Sequence, residues 1–220
     1  MSLRISNFIL NNFTRQRFTM IKNPFITSLI ILLASCSPVK ESNKKSLEVV
    51  RTEAGLVSGI LSNGVYTFKG VPFAAPPVGA LRWKAPQTPQ SWQDTLSCVQ
   101  FGASAMQREP RAFRMWTEEF QPPAEPVGED CLYLNIWTPA KSVSEKLPVM
   151  IWIPGGAFIN GSGSVPIYDG EAIAREGIIY ISINYRLNIF GFMAHPELTA
   201  EAAHKSSGNY GLMDQIAAIK

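Results

Sequence analysis

The sequence predicts an α/β fold in which a small antiparallel β unit precedes a central, mostly parallel sheet with helices. The unbroken apolar run 149–153 and a second apolar stretch, residues 178–183, are typical of strands buried on both faces of a parallel sheet. A short helical segment separates them. A strand–helix–strand order of this kind makes the two strands parallel and the crossover right-handed.

Residues 1–35 indicate an export signal that lies outside the fold. This segment contains no acidic residue. It has four basic residues: Arg4, Arg15, Arg17 and Lys22. The apolar core at 25–34 is shorter than the roughly 20 residues that span a bilayer, and it has the length of a signal-peptide core. Translation from Met20 would give a more compact leader.

The charge of the remaining chain gives no support to a nucleic-acid partner. The sequence has 20 basic and 17 acidic residues, and without the four basic residues of the leader 16 basic residues face 17 acidic ones. Nucleic-acid binding needs a basic face on the folded part. Residues 36–46 are polar and are expected to form a solvated tether to one domain, residues 47–220.

Residues 47–69 are expected to form the antiparallel unit. Its strands are predicted at 47–51, 56–61 and 65–68. Asn63-Gly64 is a strong signal for a hairpin turn. The proline-rich stretch 70–89 is expected to be an ordered, irregular loop.

Three later elements follow from local patterns. Residues 132–138 alternate between apolar and polar side chains, which predicts a strand. Asp169 is expected to cap a short helix that runs through Arg175 and stops at Gly177. Asn209 is expected to cap the last helix. The apolar residues of that helix share one face: Leu212, Ile216 and Ile219.

The first apolar run ends at Pro154-Gly155-Gly156-Ala157, the beginning of a segment (154–163) that we call the glycine loop. Adjacent glycines let the backbone turn and leave N–H groups bare, and such groups at a strand end can bind an anion. A glycine-rich turn without chemistry is the alternative. A phosphate-binding loop is excluded, because Ser162 stands where the lysine of that motif belongs and G-x-G-x-x-G does not occur.

Five segments, taken together, resemble the signatures of one family. Besides the glycine loop they are residues 70–79 with 81–83, 129–137, 184–187 and 208–215. In this order they are similar to the type-B carboxylesterase (cholinesterase-like) family, from about residue 49 to residue 220. The resemblance implies the N-terminal portion of an α/β-hydrolase fold, truncated before the rest of the domain. It also implies a complete protein that hydrolyses carboxylic esters by serine acyl transfer.

The resemblance assigns the glycine loop a role in catalysis. In this fold the loop after the third strand supplies the N–H groups of the oxyanion hole. By position, the N–H groups of Gly156 and Ala157 should face the developing oxyanion, and Gly155 should form the turn. Pro154 departs from the family, which usually has histidine there.

This resemblance, and a separate one in the leader, suggest how the three cysteines and one charge pair are used. Residues 33–36 resemble a bacterial lipobox in which Cys36 is lipidated, although an ordinary secretory signal is the alternative. The family implies a disulfide between the remaining Cys98 and Cys131, with free buried thiols as the alternative. It further suggests a structural ion pair between Arg82 and Glu129, with two solvated charges as the alternative. The protein is thus expected in the bacterial cell envelope, anchored to a membrane by lipid.

The nucleophile is expected beyond Lys220, with the acid and histidine of the triad. G-x-S-x-G does not occur in the 220 residues, and the nearest match, 102–106, fails at its last position. His195 and His204 are expected to be structural or solvated. The expected partner is a small-molecule carboxylic ester, with no nucleic acid, no metal and no cofactor. A non-catalytic cholinesterase-like binding or adhesion protein and an inactive truncated fragment remain the alternatives.

Overall fold

The computed structural model describes residues 47–112, 114–124 and 126–220. The expected signal peptide, the lipobox with Cys36 and the tether 36–46 lie outside the described residues. Within the described part of the chain, no helix has the length and apolar character needed to cross a bilayer.

Short strands and helices make up the described part. The strands are β1 (Val49–Arg51), β2 (Leu56–Ser58), β3 (Ile60–Ser62), β4 (Val65–Pro72), β5 (Thr95–Ser97), β6 (Ser104–Ala105), β7 (Val127–Gly128), β8 (Tyr133–Thr138), β9 (Val149–Trp152) and β10 (Ile179–Ile183). The α-helices are α1 (Glu171–Arg175), α2 (Asn188–Phe192), α3 (Pro196–Glu201) and α4 (Tyr210–Ile219).

The central sheet has the strand order β3-β4-β8-β10-β9. β9 and β10 are parallel, with Ile151 opposite Ile181, which confirms the predicted strand–helix–strand unit. The β3–β4, β4–β8 and β8–β10 pairs are antiparallel, so the sheet is mixed over the described residues. Because β10 lies between β8 and β9, the turn that leaves β9 opens at the end of a parallel strand pair.

The N-terminal strands do not form the single antiparallel unit that the sequence predicts. β1 pairs with β2, and β2 pairs with β5, so these three strands make a separate sheet. The predicted turn at Asn63-Gly64 is present, with φ of +50° and +78°, but its strands β3 and β4 belong to the central sheet. Gly59 divides the two sheets, because a Cβ there would lie 2.3 Å from the carbonyl oxygen of Thr67.

The crossover helix α1 starts one residue later than predicted. Its first residue is Glu171, whose N–H donates to the Asp169 carboxylate at 2.9 Å, so Asp169 caps the helix from outside. Gly177 follows the helix with φ of +87°, as expected of a residue that ends one. Ala174 on α1 is buried against a cluster from the sheet: Val65, Trp137 and Tyr180.

Cys98 and Cys131 are free thiols, so the predicted disulfide is wrong. Cys98 is buried in a cluster with Val57, Phe68 and Val71, where the small sheet meets β4. Cys131 belongs to another cluster, which it shares with Ala105. The prediction joined two cysteines that lie in different parts of the core, and the cluster around Cys131 offers it no second sulfur among the described residues.

Two apolar surfaces are exposed in the described part of the chain. Val149 on β9 is 54% exposed and Ile216 on α4 is 57% exposed. β9 is the edge strand of the sheet in the described part of the chain, and its one neighbour is β10. Helix α4 buries the opposite face: Tyr210, Gly211 and Asp214.

Candidate functional site

The glycine loop leaves β9 and folds back on itself. The N–H groups of Ile159 and Asn160 donate to the carbonyl oxygen of Gly156 at 3.0 and 3.2 Å. Gly156 has φ of +134°, and a Cβ there would lie 2.0 Å from the Asn160 carbonyl oxygen. Only glycine fits this position. Ala157 also has a positive φ, +52°, so the turn depends on support from the surrounding residues.

The N–H groups of Gly156 and Ala157 donate to no acceptor in the described part of the chain. Gly156 is half-buried and Ala157 is exposed, and the adjacent N–H groups of Gly155 and Phe158 also have no hydrogen-bond partner among the described residues. Residues 155–158 thus present a row of unpaired N–H groups just after β9, an arrangement suited to a negatively charged oxygen.

The entrance to the loop is fixed from β10. Tyr185 lies just after this strand. Its hydroxyl donates to the Pro154 carbonyl oxygen at 2.8 Å in a buried contact. Burial raises the pKa of Tyr185, so the phenol keeps the proton that this bond requires. Pro154 therefore contributes its carbonyl group, although it lacks the side chain that the family usually has there.

The end of the loop lies on a buried network of serine and asparagine side chains. The Asn184 Oδ1 accepts the Gly163 N–H at 2.8 Å, and the Ser182 hydroxyl donates to the Gly163 carbonyl oxygen at 2.8 Å. Ser162 bonds to Ser164 at 2.7 Å. These bonds pair the backbone of the loop end with side chains rather than with solvent.

Ser104, in the segment nearest to a nucleophile elbow, is not poised as a nucleophile. It is buried, and its hydroxyl donates to the Ser162 hydroxyl at 2.9 Å. Neither histidine forms a hydrogen bond with Ser104, Ser162 or Ser164 in the described part of the chain. His195 accepts the N–H of Glu197 at the start of α3, and His204 is exposed.

Arg82 and Glu129 form the two-point ion pair suggested by the family pattern, with N–O distances of 2.5 and 2.6 Å. The hydrogen bond to Glu129 raises the pKa of Arg82. Both residues line a pocket that Cys131 and Arg186 also border. No group of three potential metal ligands occurs among residues 47–112, 114–124 and 126–220.

Sequence reasoning missed a second, more deeply buried ion pair between Arg186 and Asp214. Both residues lie in segments that carry the family resemblance. Their opposite charges in otherwise apolar surroundings were the signal that could have paired them.

A mixed sheet with a parallel crossover unit, and a strand that ends in a glycine turn with bare N–H groups, define the α/β-hydrolase class. The chain belongs to the carboxylesterase family, whose family model matches residues 46–220. This confirms the resemblance and places the chain in a family of hydrolases.

Individual relatives support the assignment. The fumonisin B1 esterase of Sphingopyxis macrogoltabida is 44% identical over 86% of this chain and 34% of its own length. The para-nitrobenzyl esterase of Bacillus subtilis is 44% identical over 79% of this chain and 34% of its own length. Mouse cholinesterase is 37% identical over 87% of this chain and 32% of its own length.

Solved structures agree with the fold. A PNB esterase structure superposes with a TM-score of 0.69 at 39% identity, covering 79% of this chain and 34% of that one. A Geobacillus stearothermophilus carboxylesterase superposes with a TM-score of 0.66 at 40% identity, covering 78% of this chain and 33% of that one. The chain therefore spans about a third of the length of the proteins it matches.

Proposed function

We propose that this chain supplies the oxyanion-binding loop of a serine carboxylesterase that acts on small-molecule carboxylic esters. The observation that carries the proposal is the row of unpaired N–H groups at residues 155–158, which includes Gly156 and Ala157, in a loop whose entrance and end are both held by hydrogen bonds. Membership of the carboxylesterase family and relatives named as esterases support it.

In the proposed reaction a serine oxygen adds to the ester carbonyl carbon and its proton passes to a histidine. The carbonyl oxygen becomes an oxyanion, and the N–H groups of Gly156 and Ala157 donate to it. Each such donor typically lowers the barrier by roughly 3–4 kcal/mol. The alcohol then leaves with the proton, and water releases the acid from the acyl-enzyme by the same steps.

We place the serine, the acid and the histidine in a segment that follows Lys220. Two facts support this proposal: the 220 residues contain no G-x-S-x-G, and the relatives are about three times as long as the matched segment. Within the chain, Ser104 is bonded to Ser162 and buried, which does not favour it as the nucleophile.

Turnover of p-nitrophenyl acetate tests the proposal. The 220-residue chain should show no turnover that an organophosphate abolishes. The same chain extended through a downstream G-x-S-x-G serine and its histidine should turn the ester over, and the organophosphate should stop it. Organophosphate-sensitive turnover by the short chain would show that the serine lies within it. A folded, extended protein without turnover would favour the non-catalytic binding alternative.

We also propose that the protein is exported and anchored to a membrane through lipidated Cys36. The support is the sequence at 33–36, which follows a short apolar core. Mass spectrometry of the membrane fraction should find an acylated Cys36 at the N-terminus, and Cys36→Ser should move the protein into the soluble fraction. An unmodified Cys36 in a mature chain that begins elsewhere would refute the anchor.

A further inference from the structure

We propose that Gln107 and Asn188 are positioning residues that hold the glycine loop in the shape that presents the N–H groups of Gly156 and Ala157. The inference rests on the proposed function, because it assigns these residues to the same oxyanion site. Neither residue contacts the reacting atoms. Both act through the backbone of residues 158–161, the second half of the loop.

Gln107 holds Gly161 by both of its backbone groups. The Oε1 atom accepts the Gly161 N–H at 2.9 Å, and the Nε2 atom donates to the Gly161 carbonyl oxygen at 3.0 Å. Nε2 also donates to the Ala105 carbonyl oxygen at 3.0 Å. One amide side chain thus replaces the pair of bonds that a neighbouring strand would make, and it ties the loop to β6.

Asn188 holds the preceding residues of the loop. Its N–H donates to the Phe158 carbonyl oxygen at 2.8 Å, and its Nδ2 atom donates to the Ile159 carbonyl oxygen at 3.0 Å. Nδ2 also donates to the Met106 carbonyl oxygen at 2.9 Å. Asn188 has φ of +53°, a conformation that asparagine tolerates better than most residues.

The first half of the loop, residues 155–156, packs against the second half, residues 159–161. Contacts that fix the second half therefore also fix the first. A Cβ on Gly161 would lie 2.3 Å from the Gly155 carbonyl oxygen, which means that the two backbones are packed together. The N–H groups of Ile159 and Asn160 both bond to Gly156. A displacement of residues 159–161 must therefore shift the backbone that carries the oxyanion donors.

The kinetic consequence of this coupling is specific. An oxyanion exists in the transition state and not in the bound ester, so misplaced donors lower kcat more than they change KM. A misplacement of about 1 Å can cost on the order of 100-fold in rate. We expect a fall in kcat of roughly 10-fold to 100-fold for loss of either side-chain clamp, with KM within about 2-fold.

Two nearly isosteric substitutions test the proposal in the extended protein of the activity test above. Gln107→Glu keeps an acceptor for the Gly161 N–H but places an oxygen opposite two carbonyl oxygens. Asn188→Asp does the same to the carbonyl oxygens of Ile159 and Met106. Gln87→Glu is the matched control, because exposed Gln87 donates to the Ala85 carbonyl oxygen, outside the glycine loop.

Two readouts are needed, kinetics with p-nitrophenyl acetate and amide hydrogen exchange of residues 159–161, whose N–H groups are hydrogen-bonded. The proposal expects lower kcat and faster exchange in both test variants, and wild-type behaviour in the control. Unchanged exchange, or a fall in kcat no larger than that of the control, overturns it. If the wild-type protein shows no turnover, the proposed function fails, and the exchange measurement alone decides whether the clamps hold the loop.

Asn188→Gly covers the case in which a charged variant does not fold. Glycine accepts the positive φ and keeps the N–H that bonds to Phe158, but it lacks the Nδ2 atom. This variant should still melt cooperatively, should show faster amide exchange at residues 159–161 than wild type, and should have a lower kcat. Wild-type exchange in Asn188→Gly would overturn the assignment of Asn188.

Discussion

The Arg186 guanidinium and the Asp214 carboxylate form a two-point ion pair in the interior, with N–O distances of 2.7 and 2.8 Å. Their side chains are 3% and 0% exposed. Asp214 also accepts the backbone N–H of Arg186 at 3.0 Å. This pair joins the segment that follows β10 to the first half of helix α4, and the polypeptide that leaves β10 also carries Tyr185 and Asn188 to the glycine loop.

We therefore expect Asp214→Asn to be strongly destabilising. The substitution leaves the Arg186 charge buried without a counter-ion, which typically costs about 3–5 kcal/mol. The free energy of unfolding of the purified protein in urea measures the effect. Glu171→Gln is the control, since the Glu171–Arg175 pair is partly exposed and should contribute less than about 1 kcal/mol. Equal losses in the two variants would contradict the assignment.

Gly156→Ala should abolish most ester turnover in the extended protein. Gly156 combines φ of +134° with a Cβ position 2.0 Å from the Asn160 carbonyl oxygen, so the added methyl group must displace the loop. Gly64→Ala separates backbone strain from this clash, because Gly64 has φ of +78° and open space around its Cβ. The control should keep kcat near the wild-type value. Wild-type kcat in Gly156→Ala would show that the loop conformation does not matter.

The Cys98 thiol should not react with thiol reagents in the folded protein. Its ionisation at high pH should lower the free energy of unfolding. Burial raises the pKa of Cys98 to about 11 from the model-compound value of 9.0. Because the folded pKa is the higher one, the stabilising contribution is complete below about pH 9 and is lost as the pH rises towards 11. Urea unfolding at several pH values measures this loss.

Thiol labelling provides an independent check on both cysteines. Burial also raises the pKa of Cys131. In the Cys36→Ser variant, which lacks the third cysteine of the sequence, Ellman's reagent at pH 8 should label neither Cys98 nor Cys131 in the folded protein and both after unfolding, with no reducing agent added. Labelling of the unfolded protein that requires a reductant would instead show a disulfide.

The exposed edge of the central sheet should promote association of the 220-residue chain. Met150 lies on edge strand β9 and is 46% exposed, and edge strands with apolar side chains pair with other chains. Met150→Lys should reduce light scattering at a given protein concentration. Val143→Lys adds the same charge in the loop before β9 and should change scattering less. An equal reduction would attribute the effect to net charge alone.

Patterns that involve neighbouring residues predicted the local structure well. The turn at Asn63-Gly64, the parallel β9–β10 pair and the sharp turn after β9 all follow from short runs of sequence. The burial of 149–153 did not follow, because apolar character specifies a preference for burial and not the element that covers the strand. The disulfide failed for a similar reason, since neither the family resemblance nor a count of cysteines contains a distance between the two sulfur atoms.

The supports of the glycine loop could not be predicted in this way. Gln107, Tyr185 and Asn188 are isolated residues in loops or at helix starts, and no periodicity marks them. Each contacts the loop from a remote position in the sequence. Their roles follow from the backbone groups that they meet, which only the three-dimensional arrangement shows.

The order in which the molecule folds follows from the same supports. The bond from Gln107 to Gly161 closes 54 residues, the bond from Tyr185 to Pro154 closes 31, and the bond from Asn188 to Met106 closes 82. Contacts between residues distant in sequence form slowly, because the entropy of loop closure must be overcome first. The strand pairs of the central sheet join residues that are similarly distant in sequence. After dilution from denaturant, residues 159–161 should therefore gain protection from exchange together with the central sheet. A chaperone that binds this chain early in folding would find neither a complete sheet nor a formed oxyanion site.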